Sequence, residues 1–144
     1  TIFYSQLPEL DVVLSRFPDL PVCLDHCAFP PLAGPPWQAA ELLLERARHA
    51  NLYLKVSTHV LDAAGEKGGD PADFVGLLAE RFGADRLLWG SDFCQTHDRP
   101  YAELVALGRR AFAGLTPEDR AMCLGANALK LWPGLARAMR EAVG

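Results

Sequence analysis

The 144 residues predict an α/β fold in which three short parallel strands are flanked by helices. Three apolar runs, residues 21–26, 52–58 and 86–92, are too short for helices and apolar enough to be buried strands. The segments around them repeat apolar residues every three or four positions, which is the helical period. Strands that alternate with helices favour parallel pairing through helical crossovers. The pattern alone fits either a small three-layer sandwich or part of a closed barrel.

The first half of the chain supplies two of these helices and two of the strands. One apolar stripe predicts a helix over residues 6–17, and Pro18 ends it. A proline-rich turn, residues 30–36, follows the first strand. The next helical stripe runs from Trp37 to Ala50 and leads into the second strand.

The second half begins with a glycine-containing loop after the second strand. Asp70 is predicted to cap the next helix, with a proline in its first turn, and Gly83 ends that helix. A further helix is predicted over residues 101–112, beyond the third strand. Thr116 and the residues after it form a capping box with a first-turn proline, and the final helical stretch is broken at Pro133.

Composition limits the classes of function. Half of the residues are hydrophobic and 22% are charged, which indicates a folded domain with a core. Acidic residues number 18 against 14 basic ones, so the net charge of −4 disfavours nucleic acid or an anionic membrane as a partner. We expect a small-molecule substrate. No apolar run is long enough to span a bilayer and the amino end lacks signal-peptide features, so we expect a cytoplasmic location.

Polar side chains follow each predicted strand at its carboxyl end. His26 ends the first strand, Lys55 and Ser57 lie on one face of the second, and Asp92 ends the third. A lysine inside a covered sheet must be paired or solvated, which indicates a site beside it. Because the carboxyl ends of parallel strands meet, we expect these four side chains to face the same side, with His26 and Asp92 about 10 Å apart at Cα.

The cysteines and the other histidines have simpler expected roles. We expect free thiols, with Cys23 and Cys27 on the strand face opposite His26, toward the helices. His59 and His97 are predicted to lie in loops that follow strands, where they would reach a substrate.

Four segments in order resemble one family. They are Leu24-Asp25-His26 with Pro30 beyond, residues 51–57, residues 82–93 with their Gly-Ser-Asp block, and Asn127-Ala128. Together they resemble the amidohydrolase-related family, the (β/α)8-barrel branch that includes 2-pyrone-4,6-dicarboxylate lactonase and aminocarboxymuconate-semialdehyde decarboxylase. A full TIM barrel takes about 250 residues. The resemblance therefore implies that residues 1–144 are the carboxyl-terminal part of a barrel, strands six to eight, cut from a longer protein.

The resemblance also implies a chemistry and a set of site residues. It implies hydrolysis of a lactone or a similar C–O or C–N bond, with Asp92 as general base and then acid, and His26 polarising the carbonyl. The same two residues, His26 and Asp92, help to hold a divalent metal in metal-using relatives. The family's first-strand His-x-His pair is missing, so zinc, manganese or no metal all stay open. The expected substrate contacts are Lys55, Ser57, His59 and His97.

Two alternatives remain open. One is a metal-dependent non-oxidative decarboxylase. The other is an inactive fragment, or half of a split barrel that needs a partner chain, because three strands taken from a barrel leave open sheet edges. We therefore expect self-association or pairing with the missing amino-terminal half-barrel.

Overall fold

Three apolar segments pair as a parallel sheet at the centre of the structure, a computed structural model that describes residues 1–143. The strands are β1 (Val22–Leu24), β2 (Leu52–Ser57) and β3 (Leu87–Gly90), in the order β1-β2-β3. Both pairs are parallel, with Leu24 aligned to Leu54 and Leu54 aligned to Leu87. The predicted α/β fold is confirmed, and the strand that carries Lys55 is the central one.

Helices surround one face of this sheet. Those of residues 1–143 are α1 (Leu7–Arg16), α2 (Glu41–Leu44), α3 (Thr58–Gly65), α4 (Pro71–Phe82), α5 (Tyr101–Ala111), α6 (Pro117–Ala121), α7 (Asn127–Leu131) and α8 (Pro133–Val143). A turn of π-helix, Met122–Ala126, joins α6 to α7. The predicted caps form, since the Asp70 carboxylate accepts from the Ala72 N–H at 2.8 Å and the Thr116 hydroxyl accepts from the Asp119 N–H at 3.1 Å.

Alternation along the strands separates a dry face from a mixed one. Leu54, Val56 and Leu87 are fully buried on the face that the helices cover. Large side chains of α4 and the segment after α5 complete this core, including Phe74, Leu78 and Phe112. Burial of this apolar surface is the main force that holds the helices on the sheet. The opposite face carries Tyr53, Lys55 and Ser57.

Two predicted segments differ from the structure. The predicted helix from 37 to 50 is regular only at α2 and is wound more tightly on either side. The Arg46 guanidinium donates to the Leu42 carbonyl at 2.7 Å. In a regular helix this carbonyl would accept from the backbone N–H four residues later. The stretch after β2, predicted as the strand end and a loop, forms α3, whose Val60 and Leu61 are buried.

Arg86 ties the amino end of β3 to neighbouring segments. Its guanidinium donates to the carbonyls of Phe82 at 2.6 Å, His49 at 2.7 Å and Ala47 at 3.1 Å. The carbonyls lie at the ends of two helical segments, and that of His49 also accepts from the Leu52 N–H at 3.2 Å. One side chain therefore satisfies three acceptors.

Two asparagines act in the same way at this end of the sheet. Asn127 donates to the carbonyls of Ala84 and Leu87, both at 2.8 Å. Asn51 donates to two carbonyls of the loop before β1, at 2.9 and 3.0 Å. Arg86 and Asn127 both belong to the segments that carry the family resemblance, and the structure gives each of them a structural role.

Two further observations concern the edges of the sheet and the length of the helices. Among the described residues, β1 and β3 each pair with β2 alone, so each has one edge without a partner strand. None of the helices within residues 1–143 has both the length and the hydropathy to cross a bilayer.

Candidate active site

Lys55 and Ser57 reach the mixed face of the sheet from the end of β2. The register aligns Lys55 with Leu88 and Ser57 with Gly90, so all four share that face. A Cβ atom at Gly90 would lie 3.1 Å from Cε of Lys55. The absence of a side chain at Gly90 therefore leaves room for Lys55 to extend along β3.

His26 reaches the same face because the backbone after β1 changes hand. The register aligns Cys23 with Tyr53, so strict alternation would place Asp25 on the Lys55 face and His26 on the other. Instead β1 ends at Leu24, and a left-handed turn begins at His26. Its positive φ values are 51° at His26, 52° at Cys27, 61° at Ala28 and 54° at Phe29.

The predicted position of Cys23 is corrected by this register. Cys23 lies on the Lys55 face and not toward the helices, because it aligns with Tyr53. Burial, followed by the nearby Asp25 carboxylate, raises the pKa of Cys23 to about 11. Cys27 is fully buried, and its thiol lies 3.5 Å from the Lys55 carbonyl. All four cysteines are free, as expected.

A lysine between two carboxylates forms the centre of the site. Nζ of Lys55 lies 2.8 Å from Oδ1 of Asp25 and 3.2 Å from Oδ1 of Asp92. Burial alone would lower the pKa of Lys55, but the hydrogen bonds that its ammonium donates to the two carboxylates raise it above its ordinary value. Burial alone would likewise raise the pKa of Asp25, and the Lys55 ammonium lowers it. Two carboxylates against one ammonium leave a formal charge of −1.

His26 lies beside this ion cluster and bonds to the end of β2. Its Nδ1 is 2.8 Å from the Ser57 hydroxyl, and its Nε2 is 3.3 Å from Oδ2 of Asp25 and 3.8 Å from Oδ2 of Asp92. Burial, with the adjacent Lys55 charge, lowers the pKa of His26. The imidazole is therefore neutral at neutral pH.

The structure brings together four of the six residues expected at the site. His26, Lys55, Ser57 and Asp92 converge, and the prediction that His26 and Asp92 meet at one end of the sheet is confirmed. Ser57, expected to contact substrate, is 0% exposed and bonded to His26. Asp92 lies beyond the end of β3 in a left-handed conformation, φ 55°, which turns its carboxylate back toward Lys55.

His97 lies in the loop after β3, as predicted, whereas His59 lies in a helix and not in a loop. His59 lies in the first turn of α3, where it is exposed, with its ring 6.3 Å from that of His26 and 5.2 Å from that of Phe29. His97 is exposed, and its Nε2 lies 3.1 Å from the Cys94 carbonyl. His59 therefore borders the cluster, whereas the contacts of His97 are within its own loop.

Asp25 is the site residue that reasoning from the sequence missed. It bonds Lys55 and lies 3.3 Å from His26, and it also accepts from the Thr1 hydroxyl at 3.1 Å. The signal was present, because strict alternation along β1 places Asp25 and not His26 on the Lys55 face. The assumption that His26 shares that face by alternation concealed it.

The described side chains do not form a metal site on their own. Within residues 1–143, no group of three or more His, Cys, Asp or Glu side chains is arranged to hold a metal ion. The position between Asp25 and Asp92 is taken by the Lys55 ammonium, whose charge would repel a divalent cation there. The donor set therefore does not fit a metal held between these two carboxylates.

Parallel strands with a polar cluster at their carboxyl ends are the arrangement in which α/β folds, open or barrel, place their functional sites. The chain belongs to the amidohydrolase family, whose model matches residues 1–134. It is 32% identical over 135 residues to an L-fucono-1,5-lactonase from Burkholderia ambifaria, covering 85% of this chain and 44% of that protein. The chain thus spans less than half the length of this curated relative.

Solved structures give the same result for the fold. The chain is similar to an amidohydrolase from Burkholderia multivorans crystallised with bound zinc, with a TM-score of 0.72 and 23% identity. A second crystal form of that amidohydrolase, with bound HEPES, gives a TM-score of 0.71 and 22% identity. Each match covers 92% of this chain and 51% of the solved one. The fold is therefore part of an amidohydrolase TIM barrel, as the resemblance implied.

Proposed function

We propose that the full-length protein hydrolyses a lactone and that Asp92 is its general base and acid. The observation that carries this proposal is the convergence of Asp92, Lys55 and His26 at the carboxyl ends of adjacent strands. This end of a TIM barrel is where active sites lie. The 32% identity to a lactonase favours a cyclic ester as substrate.

The proposed reaction needs one group that takes a proton and returns it. The Asp92 carboxylate, 14% exposed, accepts a proton from a water molecule as that water attacks the lactone carbonyl carbon. A C–O bond forms, and the carbonyl electron pair moves to the carbonyl oxygen. When the tetrahedral intermediate collapses, the ring C–O bond breaks and Asp92 returns the proton to the leaving oxygen. The product is the open hydroxy acid.

Lys55 is suited to stabilise the negative charge that develops in this reaction. An ammonium has three donors, and two of those on Lys55 are directed at Asp25 and Asp92. The side chain is 27% exposed, so the third donor is available to a substrate oxygen. A donor that is already oriented toward a developing oxyanion lowers the barrel enzyme's activation barrier without a reorganisation step.

The remaining strands of the barrel are part of this proposal. The chain covers about half of the solved amidohydrolases, and its sheet has an open edge on each side within the described residues. We expect catalysis only when those edges are paired, because catalytic groups act as a unit. The isolated 144-residue chain should be inactive.

The test is turnover of five- and six-membered sugar lactones by the full-length protein, followed by acid release at pH 7.5. Wild-type protein should hydrolyse at least one lactone, and Asp92→Asn should lose the activity. Asp19→Asn is the matched control, because Asp19 is exposed in the loop before β1, at the opposite end of the sheet. Absence of turnover across the panel, or full activity in Asp92→Asn, would contradict the proposal.

A further inference from the structure

The Ser57 hydroxyl is positioned to act through His26. Ser57 is 0% exposed, so it offers no surface to a substrate, and its hydroxyl lies 2.8 Å from Nδ1 of His26. We infer that Ser57 is a positioning residue that fixes His26 as the neutral Nε2–H tautomer. His26 then presents a hydrogen-bond donor, and not a metal-binding lone pair, to Asp25 and Asp92.

The surroundings of Nε2 favour a proton on that nitrogen, and Ser57 adds to this preference at the other nitrogen. A neutral imidazole has one N–H and one lone pair, and an ionised carboxylate only accepts. Nε2 faces Oδ2 of Asp25 at 3.3 Å and Oδ2 of Asp92 at 3.8 Å. A lone pair at Nε2 would face negative oxygens, whereas an N–H there is attracted to both. The proton therefore belongs on Nε2.

Ser57 completes the assignment from the other side of the ring. With the proton on Nε2, Nδ1 has a lone pair, and the serine hydroxyl donates to it at 2.8 Å, an ordinary hydrogen-bond length. Ring rotation is opposed by Phe29, whose ring stacks on His26 with a centroid separation of 4.8 Å and an interplanar angle of 30°. Burial and the Lys55 charge lower the pKa of His26, which keeps the ring neutral.

The tautomer has a consequence for the reaction, which rests on the proposed lactone hydrolysis. An Nε2–H lies 3.3 Å from Oδ2 of Asp25 and 3.8 Å from Oδ2 of Asp92, so its positive end attracts the Oδ2 atoms of both carboxylates while their Oδ1 atoms face Lys55. Ser57 thus acts on Asp92 through His26. A partner that fixes the ring of a metal-bound histidine is worth roughly 10- to 100-fold in activity, and we expect an effect of the same size for this active-site histidine.

The tautomer is measured directly on full-length protein labelled with ¹⁵N in its histidine rings. Long-range ¹H–¹⁵N correlation spectra at pH 7.5 report which nitrogen is protonated, and His26→Gln assigns the His26 signals. Wild-type protein should show a protonated Nε2 and an unprotonated Nδ1. Ser57→Ala should give a mixture of tautomers, Ser57→Thr should keep the wild-type pattern, and Ser15→Ala on exposed α1 should change nothing.

Activity supplies the second readout. Ser57→Ala should lower kcat about 10- to 100-fold with KM within about twofold, and Ser57→Thr should recover most of the loss. Thermal unfolding verifies that each variant folds. A protonated Nδ1 in wild-type His26 overturns the inference whether or not the variants fold, and so does an unchanged His26 pattern in Ser57→Ala. Absence of lactone turnover with the Nε2–H pattern intact would overturn only the proposed function.

Discussion

The two ends of the three-stranded sheet are built from different interactions. At the amino end, Arg86, Asn51 and Asn127 donate to backbone carbonyls of neighbouring helical segments and loops, so each polar side chain ties these segments to the sheet. At the carboxyl end, Lys55 and His26 contact side-chain carboxylates. The first arrangement stabilises the chain, and the second holds charged groups beside a surface that substrate can reach.

Backbone conformation differs in the same way. Five non-glycine residues with positive φ, namely His26 to Phe29 and Asp92, follow the strands at the carboxyl end. Such conformations destabilise by about 1–3 kcal/mol each and persist where surrounding contacts hold them. The residue before β3 at the amino end is Arg86, within a regular helical turn that follows a glycine, Gly83, with φ 87°. Trp37 and Lys67, in loops away from the cluster, also have positive φ, but the longest such run follows β1 and places His26 in the site.

The largest expected effect separates the two ends by activity. Asp92→Asn in the full-length protein should lower kcat about 10² to 10⁴-fold, because it removes a positioned general base and acid. Its free energy of unfolding should stay near the wild-type value, because asparagine tolerates the left-handed conformation that Asp92 adopts. Steady-state kinetics and urea unfolding measure both quantities. A large loss of stability with a modest loss of kcat would show that Asp92 stabilises the fold and is not catalytic.

The converse substitution is at the amino end. Arg86→Met should lower the free energy of unfolding by about 3 kcal/mol, because three carbonyls lose the side-chain hydrogen bond from Arg86. Activity of the folded protein at 25 °C should remain close to wild type. Arg110→Met, on the exposed face of α5, is the matched control and should change neither quantity. Equal stability in the two variants would show that the carbonyl contacts of Arg86 contribute little.

A smaller effect is expected from the charge that Asp25 adds to the cluster. Asp25 and Asp92 raise the pKa of Lys55, so Asp25→Asn should lower that pKa. If activity needs a charged Lys55, the basic limb of the pH–rate profile must move to lower pH in this variant, since Lys55 loses its proton earlier as pH rises. Asp73→Asn, exposed in α4, should leave the profile unchanged. A basic limb at the same pH in Asp25→Asn and in wild type would show that Asp25 does not affect the titration that limits activity.

The smallest effect compares one thiol from each end. Cys94 is exposed in the loop after Asp92, whereas Cys123 is buried and its thiol bonds the Ala84 carbonyl at 3.2 Å. Burial, followed by the charge of Asp119, raises the pKa of Cys123 to about 12, so its reactive thiolate is scarce at pH 8. Iodoacetamide at pH 8 should modify Cys94 within minutes and Cys123 only after unfolding, as mass spectrometry of peptides will show. Equal rates would indicate that the amino end opens easily.

Much of the fold was predictable because its signals are local. Apolar period and turn chemistry placed the strands, the caps at Asp70 and Thr116 and the break at Pro133, and polar residues at strand ends located the site. The position of His26 was predicted correctly but for a wrong reason, since alternation places it on the other face and a left-handed turn brings it back. That turn, the role of Asp25 and the start of α3 depend on contacts between distant segments, which no local pattern contains.

A crystal structure of the full-length protein with a sugar-acid product bound tests the central claim most directly. The product carboxylate retains the carbon that water attacks, so its oxygens mark the reacting position. The account predicts this carboxylate within hydrogen-bond distance of Asp92 and of Nζ of Lys55, at the carboxyl end of the sheet. A product bound elsewhere, with Asp92 and Lys55 contacting only each other and Asp25, would contradict it.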